Sequence, residues 1–346
     1  MKKSKMKFLD LFAGIGGFRL GMEMAGHECV GYVEWDKFAR KSYEAMHNTE
    51  GEWTAHDITT VTDDDIRRLG RERGPIHVIC GGFPCQAFSV AGKRKGFDDT
   101  RGTLFFEIAR FANILRPRYL FLENVKGLLN HNKGDTFETI LRALDELGYD
   151  AEWDVLNSKD FGVPQNRERL FIVGHLREEC GRKVFPIRGT HETPGINVIG
   201  TTKNKNAAGT NCRHWVHDVN GSVGALSATD YKQPKQIIQT AQNRHGMAIQ
   251  QEPFNTTSAG DAFAINTGTH RYYFPSNVKR GEATLIKQTQ PNFRIRKLTP
   301  RECWRLQGFP NQLFDKAAEV NSDSQLYKQA GNSVTVNVIY EIAKRL

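Results

Sequence analysis

The chain has 346 residues, 39% of them hydrophobic and 25% charged, which is enough for one large globular domain with a smaller one beside it. Its net charge of +9 suits a polyanionic partner, and nucleic acid is the commonest of these. Composition also excludes several classes. No apolar run is long enough to cross a bilayer, the basic stretch Met1 to Lys7 is not followed by a secretory apolar region, and the six cysteines form no Cys-x-x-Cys pair. A reduced, cytoplasmic setting beside the nucleoid fits better than a disulfide framework. Cys212, His214 and His217 match no zinc spacing, so no metal is expected.

Phe8 to Phe12 reads as a short buried strand closed by the glycine turn Ala13-Gly14-Ile15-Gly16-Gly17, with a helix following to about Ala25. Cys29 to Glu34 reads as a second strand. Asp36 then stands as an N-cap before a helical stripe of Phe38, Ser42 and Ala45 with Met46. Asp57-Ile58 is placed at the end of a third strand, and Ile76 to Cys80 forms another. Leu104, Ile108, Phe111, Ala112 and Leu115 share a helical face, and Arg118 to Leu122 is again a strand. Phe137, Ile140, Leu141, Leu144 and Leu147 make a further helix that Gly148 ends; Leu170 to Val173 closes the series. This alternation predicts an α/β fold with a doubly wound, mostly parallel sheet. From about Cys180 to Thr289 the chain becomes rich in Asn, Thr, Gly, Lys and His, and periodicity is lost. That segment predicts a smaller, loop-rich domain with Trp215, Phe254, Phe263, Tyr272, Tyr273 and Phe274 as core material. Order returns from Leu298, and Val334 to Leu346 reads as a final helix.

Three groups of residues carry chemistry. The first is the glycine turn with Glu34. Glycines let a ligand approach the backbone, and a carboxylate ending the next strand can accept from ribose hydroxyls. The spacing is not Gly-x-Gly-x-x-Gly, because Arg19 stands where the third glycine belongs, so a nucleoside without phosphates fits better than a dinucleotide. Asp57 could accept from an adenine amino group while Ile58 packs on the ring. The second group is Gly81-Gly-Phe-Pro-Cys-Gln-Ala-Phe-Ser89, which places Cys85 where a strand opens into a loop. Chemistry collects at such strand ends, and a basic surround activates a thiol, although a lone cysteine is more often an inert buried residue. Ser89 to Arg101 is Gly-, Lys- and Arg-rich and reads as a lid over a nucleic-acid strand. The third group is Glu123-Asn124-Val125 at a strand end, with Gln165-Asn-Arg-Glu-Arg169, whose arginines suit phosphate or a base carbonyl.

These motifs, with Glu34-Trp35, Arg301–Pro310 and Gln329–Val338, resemble the DNA (cytosine-5) methyltransferases in order and approximate spacing over residues 7–178 and 296–346. The resemblance implies methylation of cytosine C5 in a specific duplex DNA sequence. It implies S-adenosylmethionine as cofactor, held by Phe12, Gly14, Gly16, Glu34, Trp35, Asp57, Ile58, Pro84, Asn332 and Val334. Cys85 would attack C6 of a flipped base, Glu123 would contact N3 and the exocyclic amine, and Arg167 and Arg169 would support the nucleophile and the base carbonyl. Ser89 and Asn124 join the substrate contacts. Residues 1–178 with 328–346 would form the catalytic and cofactor-binding domain, and 179–327 the target-recognition domain, organised by Leu298–Pro310. The short N-terminus reads as that of a bacterial or phage modification enzyme, acting as a monomer and paired with a restriction endonuclease.

Three other readings compete. Some relatives methylate tRNA through the same motifs, but the long segment 179–295 favours duplex DNA. An NAD-dependent oxidoreductase explains Glu34 and leaves Pro84-Cys85-Gln86 unexplained. An inactive DNA-binding module leaves Cys85 and Glu123 without a purpose. Base-contact candidates lie in Lys203–Arg213, Ser227–Lys235 and Gln242–His245, rich in the side chains that read base edges.

Overall fold

The computed structural model describes residues 5–84, 104–178, 183–189, 198–201, 215–217, 222–232, 234–240 and 293–346. Cys85, Ser89 and the lid segment therefore lie outside the described residues, as do Cys212, His214, Lys203–Arg213, Gln242–His245 and the aromatic residues 254–274.

The first half alternates as its periodicity predicts. The elements are β1 (Lys7–Leu11), α1 (Gly17–Met24), β2 (Glu28–Val33), α2 (Lys37–Met46), β3 (Trp53–Ala55), α3 (Asp63–Arg73), β4 (Val78–Gly82), α4 (Leu104–Leu115), β5 (Tyr119–Val125), α5 (Asp135–Glu146), β6 (Tyr149–Asn157), β7 (Gln165–Asn166) and β8 (Glu168–Leu176). Asp36 does cap α2, accepting from the backbone N–H groups of Phe38 and Ala39. Seven strands form one sheet in the order β3-β2-β1-β4-β5-β8-β6. Neighbours from β3 to β5 are parallel, while β8 runs antiparallel to both β5 and β6. The strand order reverses between β1 and β4, and such a switch point opens a crevice at the carboxyl ends of the strands.

Three details differ from the sequence reading, the first being helix α3 (Asp63–Arg73), which it did not contain. A whole strand, β6, was absent from it. Its sequence alternates Tyr149, Ala151, Trp153 and Val155 with Asp150, Glu152 and Asp154, the period-2 pattern of a half-buried edge strand. Three acids in seven residues hide that pattern from a search for apolar runs. Asp57 and Ile58 do not end β3, which stops at Ala55; Asp57 caps the short 3-10 turn Ile58–Thr60, and Ile58 is buried.

Apolar residues cover both sheet faces. On one, α3, α4 and α5 bury Leu69, Ile108, Phe111 and Ile140 against Leu9, Ile79, Leu120 and Ile172. On the other, α1 and α9 (Val336–Ala343) bury Phe18, Met22, Val338, Ile339 and Ile342 against Phe8, Val78 and Phe121. The last helix thus belongs to the first sheet. A Cβ on Gly21 would stand 2.6 Å from Ile339 Cγ2, so α1 and α9 meet at a distance only glycine permits.

A second sheet has the order β13 (Phe293–Lys297), β12 (Gln236–Thr240), β10 (Trp215–His217) and β9 (Val198–Thr201). Three helices follow it: α6 (Pro300–Leu306), α7 (Asn311–Val320) and α8 (Asp323–Asn332). They pack around Trp304, whose Nε1 donates to Leu326 O at 2.9 Å. Their cluster takes in Ile15, Ala39 and Met46 from the first half, together with Val223 and Leu226. A two-residue ladder joins β7 to β11 (Val223–Gly224).

The glycine turn is fixed by packing from beneath. Gly16, the residue before α1, has φ 81°, and a Cβ there would run into the His47 ring. His47 Nε2 donates to Ile15 O at 3.3 Å. Burial, assisted by the nearby Arg19 charge, lowers the His47 pKa to about 3.

Two outcomes follow from this packing. Gly21→Val should destabilise the fold by roughly 1–3 kcal/mol, because a branched side chain is forced into a filled interface; the urea midpoint measures this. For His47 the folded-state pKa lies below the unfolded value, so its contribution is present above pH 6.5 and lost as pH falls toward 3. Stability should drop there by up to about 1.4 kcal/mol per pH unit from this group. Urea unfolding of the wild type and of His47→Gln at pH 4.5 and 7.5 should show the variant losing less on acidification.

Candidate active site

The carboxyl ends of β1, β2, β4 and β5 surround a cleft of about 410 Å³, within the usual size range for small-molecule sites. Phe12, Gly14, Ile15, Glu34 and Asp36 line one side. Gly82, Phe83, Pro84, Glu123, Asn124 and Val125 line the floor and the other side, with Arg167, Arg169, Lys328, Gln329 and the segment Gly331–Ser333 completing the wall.

At the first side, the chain leaves β1 through Phe12, a non-glycine residue at φ 57°, the sort of constrained geometry that collects at ligand sites. A Cβ on Gly14 would meet nothing within 4 Å, so its backbone faces open space. The Glu34 carboxylate accepts from Gly14 N and from Asp36 N, each at 2.7 Å. Burial raises its pKa, and those two N–H groups oppose the rise. One bond to each oxygen leaves lone pairs free for ligand hydroxyls. Trp35, between two lining residues in the chain, is 77% exposed and is not itself among the residues that line the cleft.

On the other side, Gly82 lies opposite Glu123 in the β4–β5 ladder. Without a side chain at Gly82, the Glu123 carboxyl can lie over that strand; a Cβ there would be 3.1 Å from Glu123 Oε2. Arg169 Nε sits 3.0 Å from Glu123 Oε1. The reversal of β8 makes this meeting possible, because antiparallel pairing brings Arg169 opposite Val125, at the carboxyl end of β5. Glu123 is buried; burial raises its pKa, and the charges of Arg169 and Arg167 pull it back. Asn124 Nδ2 donates to Phe83 O at 2.9 Å, tying the end of β5 to the segment that leads to Pro84.

Arg167 does not point at Glu123. Its guanidinium donates to Leu226 O at 2.9 Å, Gly331 O at 3.0 Å and Ser333 O at 2.8 Å. Burial lowers its pKa to about 9, still protonated at neutral pH. Lys328 is likewise occupied, with Nζ 2.6 Å from Asp36 Oδ2. Burial opposes ionisation of Asp36, but Lys328 and the α2 backbone outweigh it and hold the carboxyl low.

The structure therefore brings together Phe12, Gly14, Glu34, Pro84, Glu123, Asn124, Arg167, Arg169 and Asn332 around one cleft. It does not bring all the expected residues to the lining. Asp57 is engaged with Thr59 at 2.9 and 2.7 Å, and Ile58 is in the core. Gly16 backs onto His47, and Val334 packs beside Phe18, one layer behind the surface. Sequence reasoning missed the Asp36–Lys328 pair and Gln329, whose Nε2 donates to Phe38 O at 3.0 Å. Lys328 and Gln329 stand just before Gly331-Asn332-Ser333, separated from it by Ala330, but nothing local signals partners some 290 residues away. Arg19, in place of a third glycine, chelates Glu52 through two bonds of 2.8 Å and anchors α1 away from the cleft. Among the described residues, no group of three or more His, Cys, Asp or Glu side chains is placed to hold a metal, and no helix is long and apolar enough to cross a membrane.

Comparison with known proteins agrees with this geometry. A family model described as C-5 cytosine-specific DNA methylase matches residues 6–346. The type II methyltransferase M.SsoII of Shigella sonnei is 39% identical over 351 residues, covering 100% of this chain and 81% of that protein. M.HhaI of Haemophilus parahaemolyticus is 36% identical, covering 98% of this chain and 93% of its own. Among solved structures, the Dnmt2 methyltransferase of S. pombe superposes with a TM-score of 0.62 at 17% identity, covering 98% of each chain. A DNMT2 mutant of Spodoptera frugiperda gives 0.61 at 19%, covering 98% of this chain and 99% of that one. These two are likenesses of fold alone. With a family model spanning nearly every residue and relatives this similar along their length, the chain belongs to the C-5 cytosine-specific DNA methylases and is a DNA (cytosine-5) methyltransferase.

Proposed function

We propose that the cleft holds S-adenosylmethionine on its β1–β2 side and a cytosine flipped from duplex DNA on its β4–β5 side, and that Cys85 forms a transient bond to cytosine C6. The observation that carries this reading is the buried Glu123–Arg169 pair facing, across one cleft, a Glu34 carboxylate held by two backbone N–H groups.

The residues present fit this cofactor. Glu34 keeps free acceptor capacity for ribose hydroxyls, and Gly14 leaves its backbone open to a close ligand. Each cation among the described lining residues is already engaged: Arg167 by carbonyls, Arg169 by Glu123 and Lys328 by Asp36. A phosphate-bearing nucleotide would find none of them free, whereas a nucleoside needs none. When bound, the cofactor supplies a methyl group on a sulfonium, an electrophile that carbon can attack. Trp35, exposed next to Glu34 in the chain, would cover the base of the bound nucleoside.

Cytosine C5 is a weak nucleophile. Adding the Cys85 thiolate to C6 makes C5 enamine-like, dividing one hard step into easier ones. Cys85 follows the lining residue Pro84 in the chain. Electron density pushed onto the ring collects at N3, where Glu123 donates a proton or a strong hydrogen bond, with Arg169 fixing its orientation. With the cofactor bound, C5 would take its methyl group and leave the sulfur as a neutral thioether; loss of the C5 proton to a base and expulsion of the thiolate would restore the aromatic ring. Flipping the base costs a few kcal/mol, which cationic contacts to the backbone of the DNA would offset.

Every residue invoked belongs to one chain, which supports a monomer. The names of the type II relatives support a partnership with a restriction endonuclease, and DNA as substrate supports a cytoplasmic, nucleoid-associated location. The second sheet and the loops of residues 179–327 are the proposed target-recognition region.

Cys85→Ala should abolish methylation and retain DNA binding, as read by tritium transfer and gel shift; full activity in that variant removes the covalent step. Glu123→Gln should lower turnover by about 10²–10⁴-fold, the usual range for a positioned acid, while cofactor affinity stays constant. A defect confined to cofactor binding contradicts the assignment. Bisulfite sequencing of plasmid DNA from cells expressing the chain tests activity, target atom and sequence context together.

A further inference from the structure

The segment Gln165–Arg169 divides its side chains between two regions. Arg169 turns to Glu123. Gln165 and Arg167, 0% and 2% exposed, turn the other way. Gln165 and Asn166 pair in register with Val223 and Gly224, and Val223 N donates to Pro164 O at 2.8 Å. Beyond that ladder, Leu226 N donates to Gln165 Oε1 at 3.0 Å and Leu226 O accepts from Arg167 Nη1 at 2.9 Å. The same two side chains reach the helices behind: Gln165 Nε2 donates to Leu306 O at 2.8 Å, and Arg167 Nη2 to Gly331 O and Ser333 O. Gly331 lies so close to the Ser227 backbone that a Cβ would collide with it. From this anchored point the chain makes a turn closed by Ser227 Oγ on Asp230 Oδ1 at 2.7 Å, leaving Thr229, Tyr231 and Lys232 exposed.

We propose that Gln165 and Arg167 are positioning residues for sequence discrimination, holding the 222–232 segment at a fixed place relative to the cleft that receives the cytosine. The proposal rests on the reading of the cleft given above. Neither side chain needs to touch a base, because both polar groups of Leu226 are in their grip and Leu226 leads straight into the exposed turn. Base readout depends on hydrogen-bond geometry. A recognition segment that can shift loses its advantage for the right sequence more than its general attraction for the DNA backbone.

The test compares the purified full chain with its Arg167→Lys and Gln165→Leu variants on plasmid DNA, sequenced after bisulfite treatment at matched extents of methylation. The measured quantity is methylation in the preferred context divided by methylation in the next most modified contexts. Both variants should lower this ratio by about tenfold, the discrimination one well-made base contact provides, and Gln165→Leu should leave the KM for S-adenosylmethionine unchanged. A general loss of activity at an unchanged ratio in either folded variant overturns the proposal, since a purely structural role or a direct role in the chemistry acts on all contexts alike. Should Arg167→Lys fail to fold by circular dichroism, Gln165→Leu decides the matter. The wild type run alongside keeps the two readings apart: absence of C5 methylation there rejects the reading of the cleft, whereas a methylating wild type with undiminished discrimination in the variants rejects this proposal alone.

Discussion

A carboxyl group taken out of water at the end of a strand must be given a partner, or burial holds it neutral. Glu123 has such a partner in Arg169, and much of the architecture serves their meeting. Arg169 can stand at the carboxyl end of β5 only because β8 runs against its neighbours. Gly82 leaves room for the carboxyl on the adjoining strand, and Asn124 holds the chain beside it. The rest of the sheet is an ordinary parallel arrangement whose switch point opens the cleft. One reversed strand turns that general-purpose crevice into one furnished with both an acid and a cation.

The opposite wall uses a different device. Glu34 is held by backbone N–H groups rather than by a cation, and Lys328, which lines the same cleft, is committed to Asp36. Two carboxylates in one cleft thus have distinct surroundings. One, Glu123, is buried against an arginine. The other accepts hydrogen bonds from neutral donors. Such a difference in environment is how a single fold separates binding from proton transfer.

Much of this was legible in the sequence because it is local. The glycine turn, the Asp36 cap and the acids ending β2 and β5 are each announced by residues within a few positions of one another. The parallel order followed from strand–helix alternation. What escaped was either masked or distant. In β6 the acids Asp150, Glu152 and Asp154 broke up the apolar signal, although strict alternation was present. The direction of β8 depends on β6 and β5 together, which no single segment encodes. Arg167 read as a base or phosphate contact because arginine has no local tell for a backbone carbonyl. Asp57 looked like a strand-end acid and proved to be a cap, since Asp serves both purposes with the same short side chain.

The large lobe is discontinuous along the chain, and this bears on how it is made. Residues 5–178 supply the seven strands, the α3–α5 layer and, on the opposite face, α1, but the helix that packs beside α1 over Phe8 and Phe121 comes from 336–343. A ribosome that has finished the last strand of the sheet has about 160 more residues to add before that apolar surface can be sealed, which at ordinary rates of synthesis takes roughly 10–30 seconds. Throughout that interval the apolar surface that α9 covers, beside α1, stands open. The nascent polypeptide should accordingly depend on chaperone shelter, and cytosine modification cannot begin until the intervening lobe has been synthesised too.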